Sequence, residues 1–155
     1  MLFTETILHD LAGFYEKLDR VLQPSYRACG SCGECCRNLS MLRVYPLELQ
    51  NIRRYVHNDN LIKKFEDFSN NRVIKIWGNI EALGHCPFQA DDLCAIYHVR
   101  PYFCRVYGHY NNQGNSLLKG CVYDGHSTAY LKREELPLYA ELLRLLERKP
   151  HLVMC

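Results

Sequence analysis

Through residues 4–22 apolar side chains return every three or four positions: Ile7, Leu8, Leu11, Phe14, Tyr15, Leu18, Val21 and Leu22. Glu5, Asp10, Glu16, Lys17, Asp19 and Arg20 fill the opposite face. This is the period of an amphipathic helix, with Thr4 or Thr6 as its N-cap and Pro24 as its stop. Pro46 suits the first position of a second helix over 46–56, where Leu49, Ile52 and Val56 share a side. Leu61, Ile62, Phe65 and Phe68 stripe a third over 60–68. The last helix is expected over 134–148, with Leu138, Leu142, Leu145 and Leu146 on one face, Pro137 in its first turn and Pro150 beyond it.

Strand patterns are weaker. Leu42 and Val44 suggest a short strand over 39–45, and Val73, Ile74 and Ile76 alternate over 72–77. Residues 84–110 hold three cysteines among many aromatics and show little period. They read as metal-ordered loops, with one short strand near 94–97, a turn at Asp91-Asp92 and a short helix from Pro101. Residues 111–115 read as a polar surface loop, and Asp124-Gly125 as a turn. Together these patterns predict an α+β fold: a helix-rich single domain over 1–155 with a few short strands.

Composition narrows this picture only a little. Hydrophobic residues make up 48% of 155, enough for a core and too many for disorder. A net charge of +2 lacks the basic excess of a nucleic-acid binder. The apolar runs are too short to span a bilayer, and the first residues carry no signal-peptide pattern. The expected setting is the cytoplasm, where thiols stay reduced.

The chemistry lies in the cysteines. Cys29, Cys32, Cys35 and Cys36 fall within eight positions, and Cys86, Cys94, Cys104 and Cys121 follow. Cys155 stands apart as a terminal thiol. The total of nine is odd, and adjacent Cys35 and Cys36 do not suit a mutual bridge, so metal ligation is favoured over a disulfide framework. On a helix Cys32, Cys35 and Cys36 would share a face, while neighbours in sequence diverge by about 100°, a hint of more than one metal. Gly30 and Gly33 let backbone N–H groups approach thiolates. The C-x2-C-x2-C run matches part of a bacterial ferredoxin pattern, and Cys86-Pro87 suits its remote ligand, which favours an iron–sulfur cluster. A C-x2-C pair equally makes a zinc knuckle, so Zn²⁺ stays open. Arg100 and Arg105 bracket Cys104 and are candidates to donate hydrogen bonds to sulfur; Arg27, Arg37 and Arg43 are weaker ones. His85, His98, His109 and His126 are spare ligands beside so many thiols.

Cys29-x2-Cys32-Gly-Glu-Cys35-Cys36, Cys86-Pro-Phe, Cys94-Ala-Ile-Tyr97, Arg100-Pro101-x2-Cys104-Arg105 and Cys121 resemble the YkgJ-type family of cysteine-cluster proteins. The resemblance covers 29–121 and implies a zinc- or iron-chelating domain. A similar cysteine motif occurs in flagellin lysine methylases, where it is thought to hold an iron–sulfur cluster. Gln89, and Tyr107-Gly108 after Cys104-Arg-Val, depart from the pattern at positions expected to affect packing more than ligation.

Three functions compete: a redox or electron-transfer domain (an iron–sulfur oxidoreductase, with a redox partner), a structural zinc module that binds a protein partner, and a group-transfer enzyme. The third lacks a nucleotide-binding glycine loop or S-adenosylmethionine motif. No Ser-His-Asp set, P-loop or paired-carboxylate signature stands out, and the sequence names no catalytic residue.

Overall fold

The computed structural model describes residues 3–27, 44–60, 63, 86, 88–91, 93–113 and 121–148. The expected strands over 39–45 and 72–77 lie outside these residues, apart from Val44 and Tyr45, which are not in a strand. Most of the expected 60–68 helix also lies outside them.

Helix α1 (Glu5–Leu22) follows the apolar period closely. Thr4, not Thr6, caps it by accepting from the Ile7 N–H at 3.4 Å. Its buried face is Ile7, Leu8, Leu11, Phe14, Tyr15, Leu18 and Leu22. Val21 was expected on that face but is 46% exposed, at the edge of the stripe. Pro24 sits in a 3-10 turn (Gln23–Ser25) that ends the helix.

Helix α2 (Pro46–Tyr55) opens on the expected proline, and the Glu48 carboxylate reaches back to accept from the Tyr45 N–H at 3.1 Å. Two antiparallel strands follow, β1 (Gln89–Ala90) and β2 (Leu93–Cys94), with Gln89 opposite Cys94. Asp91, at the reversal between them, has a φ of +50°, a left-handed conformation that aspartate tolerates. A 3-10 turn (Tyr97–Val99) leads to Pro101 and to α3 (Tyr102–Val106), the short helix expected there.

Beyond α3 the chain departs from its sequence pattern. Residues 111–112 are not surface loop. Tyr110–Asn112 is a strand, β3, that pairs in parallel with β4 (Thr128–Tyr130). The partner arrives from far along the chain, so no local alternation announces it.

The last helix is also shorter than expected. Arg133–Glu135 forms a separate 3-10 turn, and α4 runs only over Tyr139–Glu147. Pro137 lies before the helix rather than in its first turn. A residue preceding proline is pushed out of the α region, and Leu136 accordingly has a ψ of 145°. Leu138 then turns the chain at a φ of +57°.

The four described helices meet in one apolar cluster. The α1 face packs with Leu47 of α2, Tyr102 and Val106 of α3, and Leu136, Tyr139 and Leu142. Each fully buried side chain of this kind contributes roughly 1.5–3 kcal/mol. Lys17 of α1 pairs with Glu141 of α4 at 2.6 Å, and Asp10 of α1 pairs with Arg148 at the end of α4. A smaller cluster holds Ile52, Cys86, Phe88 and Ile96, with Val44, Leu49, Val56, Cys94 and Val99 packed against it. Among the described residues no helix is long and apolar enough to cross a membrane.

Candidate metal centre

Cys86, Cys94, Cys104 and Cys121 are not joined to one another as cystines. Cys86 is buried in the smaller cluster, and Cys94 packs against that same cluster from β2. The hairpin sets their spacing: Gln89, the cross-strand partner of Cys94, donates its N–H to the Cys86 carbonyl at 3.0 Å. Cys104 lies in α3, held by an N–H bond to the Pro101 carbonyl at 3.0 Å. It is near enough to Tyr15 that its charge helps raise the Tyr15 hydroxyl pKa, behind burial and Glu48. Cys121 opens a turn, its carbonyl accepting from the Asp124 N–H at 3.0 Å. Cys29, Cys32, Cys35 and Cys36 lie outside the described residues, as does Cys155. Among the described residues no group of three or more Cys, His, Asp or Glu could hold a metal ion. The later cysteines do not complete a site without further ligands.

Both arginines that bracket Cys104 are engaged by groups of the surrounding fold. Arg105 is 2% exposed and donates to both Asp19 carboxylate oxygens at 2.9 and 2.7 Å. It also donates to the Arg100 carbonyl at 2.9 Å and the His98 carbonyl at 2.7 Å, and its guanidinium lies 4.0 Å above the Tyr15 ring. Burial lowers its pKa, and Arg100 adds to that, while Asp19 opposes it. Arg100 donates to the Tyr97 carbonyl at 2.7 Å and stacks on the Tyr97 ring at 3.9 Å. These contacts brace residues 97–105 and tie them to α1 through Asp19 and Tyr15.

Sequence reasoning missed Glu48. It has no exposed surface, yet accepts from the Tyr15 hydroxyl at 2.9 Å, the Tyr102 N–H at 2.7 Å and the Tyr45 N–H at 3.1 Å. Burial raises its pKa, while the hydrogen bonds and Arg105 pull the other way. The carboxylate joins α1, α2 and the start of α3, and so fixes the helix that carries Cys104. Its signal was present but ambiguous: a glutamate in a helix's first turn is usually a solvated cap.

The other missed feature involves a histidine set aside as a spare ligand. His109 is 5% exposed, with Nδ1 2.7 Å from the Ser25 hydroxyl and Nε2 2.9 Å from the Tyr123 hydroxyl. Burial, with Arg100 adding, lowers its pKa to about 4, so the ring is neutral at physiological pH. Tyr123 also accepts from the Arg27 N–H at 3.2 Å, and Arg27 reaches the His126 ring at 3.3 Å. Of the remaining histidines, His98 meets Tyr97 edge-on, and His85 lies outside the described residues.

The two ends of the cysteine-rich stretch are therefore held at different places. Arg27, just before it, is tied to Tyr123, two residues after Cys121. Val44, eight residues after Cys36, packs on the cluster that contains Cys86 and borders Cys94.

A family model, CxxCxxCC, described as "Putative zinc- or iron-chelating domain", matches residues 28–122. Neither the curated proteins nor the solved structures give a match. The matched span takes in more than half of the chain and the eight cysteines from Cys29 to Cys121, and on that basis the chain belongs to the CxxCxxCC family of metal-chelating domains.

Proposed function

We propose that the chain works as one domain that holds an iron–sulfur cluster through cysteine thiolates and serves electron transfer. The proposed ligands are drawn from Cys29, Cys32, Cys35, Cys36, Cys86, Cys94, Cys104 and Cys121. The observation that carries this reading is the pair of anchors flanking the cysteine-rich stretch. Two extended residues span at most about 7 Å. Cys29 is two residues from Arg27, and Cys121 is two from Tyr123, which Arg27 contacts. Chain reach thus allows these two thiols to approach, and Val44, beyond the stretch, packs on the cluster that contains Cys86 and borders Cys94.

The donor set fits the group. Soft thiolates suit iron–sulfur clusters and Zn²⁺ alike, and the C-x2-C-x2-C spacing tips the choice to iron. A bound cluster would supply one-electron chemistry. The chain's own part is to hold the sulfurs and shield them: Cys86 is buried, and Cys94, Cys104 and Cys121 are half-buried. Thiolate ligands need reducing surroundings, which makes the cytoplasm the expected compartment.

A second reading has its own support. Among the described residues the cluster around Cys86 has three other buried members, Ile52, Phe88 and Ile96. A thiol built into an apolar cluster suits a structural metal, and Zn²⁺ would serve there in a module that binds a protein partner.

Anaerobic purification followed by absorption spectroscopy and metal and acid-labile sulfide analysis separates the two. The iron–sulfur reading expects brown protein containing iron and sulfide that bleaches on reduction. Colourless protein with stoichiometric zinc and no sulfide overturns it in favour of the structural reading.

A further inference from the structure

Four polar groups from three separate stretches of the chain meet beside the turn that Cys121 opens. Ser25 follows α1, Arg27 precedes the cysteine-rich stretch, His109 precedes β3, and Tyr123 lies in the turn itself. Their hydrogen bonds run in one direction only. The Ser25 hydroxyl donates to the Leu22 carbonyl at 3.0 Å, which uses its single proton. It must then accept from His109, so Nδ1 carries the ring proton. Nε2 is left as an acceptor for the Tyr123 hydroxyl, whose oxygen accepts the Arg27 N–H. A relay thus runs from the Arg27 amide through Tyr123, His109 and Ser25 to the end of α1, with each proton assigned.

Packing holds the relay in place. The His109 and Tyr123 rings lie 4.5 Å apart, and Tyr123 is 1% exposed. The Tyr123 ring presses on Gly108, where a Cβ would stand 2.8 Å from its Cγ. Ser127 donates to the Gly108 carbonyl from the far side of the turn. A hydrophobic contact could fill this space but could not orient the Arg27 amide.

We propose that His109 and Tyr123 are positioning residues of the metal centre, holding the turn that begins at Cys121 against the Arg27 backbone where the cysteine-rich stretch starts. This assignment rests on the metal-binding reading above. It asks for neither residue to be a ligand. Removing a partner that orients a metal ligand typically weakens affinity 10–100-fold.

The test uses Co²⁺ added without oxygen to the reduced, metal-free full chain. Thiolate-to-cobalt absorption reports both affinity and the ligand field. Y123F and H109Q should each weaken cobalt binding at least about tenfold and change the visible band shape. Y139F removes a comparably buried hydroxyl, 2.9 Å from Tyr45 in the main core, and should leave both unchanged. Cobalt binding and spectra identical to wild type in Y123F and H109Q overturn the positioning role, as does an equal loss in Y139F. Absence of a thiolate–cobalt band in the wild type overturns the metal reading itself. Nitrogen NMR of metal-free protein at neutral pH tests the relay separately: an Nδ1–H neutral ring at His109 is expected, and an Nε2–H or charged ring overturns it.

Discussion

Glu48 shows how one side chain sets local geometry at a measurable cost. A carboxylate without exposed surface loses several kcal/mol of hydration, offset here by three donors and nearby Arg105. Its pKa is raised above 4.5 in the folded state, so the folded protein holds that proton more tightly than the unfolded chain. Its contribution is therefore largest below the unfolded value and declines as pH rises through the folded one. Urea midpoints of wild type and E48Q, compared between about pH 4 and 7, should show the wild type losing ground to the variant as pH rises. His109 behaves oppositely, because its folded pKa is lowered from 6.5 to about 4. Its contribution is complete above 6.5 and is lost as pH falls through about 4. The gap is worth roughly 3 kcal/mol, and the same titration on H109Q should be flatter through that range. Gly108, at a φ of +85°, is strained by any side chain and closed to a Cβ by Tyr123, so G108A should lower stability by more than about 1 kcal/mol in a thermal melt.

Among the elements, α1 does most to organise the core. Leu11 has no exposed surface and Val21 is 46% exposed, although the hydrophobic period treats them alike. L11A should cost about 2–5 kcal/mol in denaturant unfolding and V21A less than about 0.5 kcal/mol. This contrast marks how far the sequence could be read. The period located α1 and the start of α2, because both bury a continuous stripe against neighbours. It placed α4 too early, because Pro137 interrupts a stripe of leucines that the count carried straight through. It missed β3, because Tyr110-Asn111-Asn112 gains its pairing from residues 128–130 and has no alternation of its own. Membership of a metal-chelating family was legible from the cysteine pattern, since the family is defined by that spacing. The relay through Ser25, His109 and Tyr123 was not, since its members lie 84 and 14 residues apart and have no fixed spacing.

At the scale of the whole molecule, two apolar clusters divide the labour. Among the described residues the larger joins α1, α2, α3 and α4 with no buried cysteine, while the smaller includes Cys86 and borders Cys94. Stripping metal should therefore loosen one far more than the other. Hydrogen exchange after chelation is expected to leave α1 amides protected and to speed exchange across 86–99; equal loss in both would mean that the metal holds the whole fold. The packing of α4 on α1 has a further consequence for synthesis on the ribosome. Leu47 of α2 covers part of the α1 face early, but Tyr139 and Leu142 complete that cover only after more than a hundred further residues have been translated. During that interval the strip of α1 reserved for α4 is a target for chaperones, and a ribosome stalled before residue 139 would leave that strip uncovered.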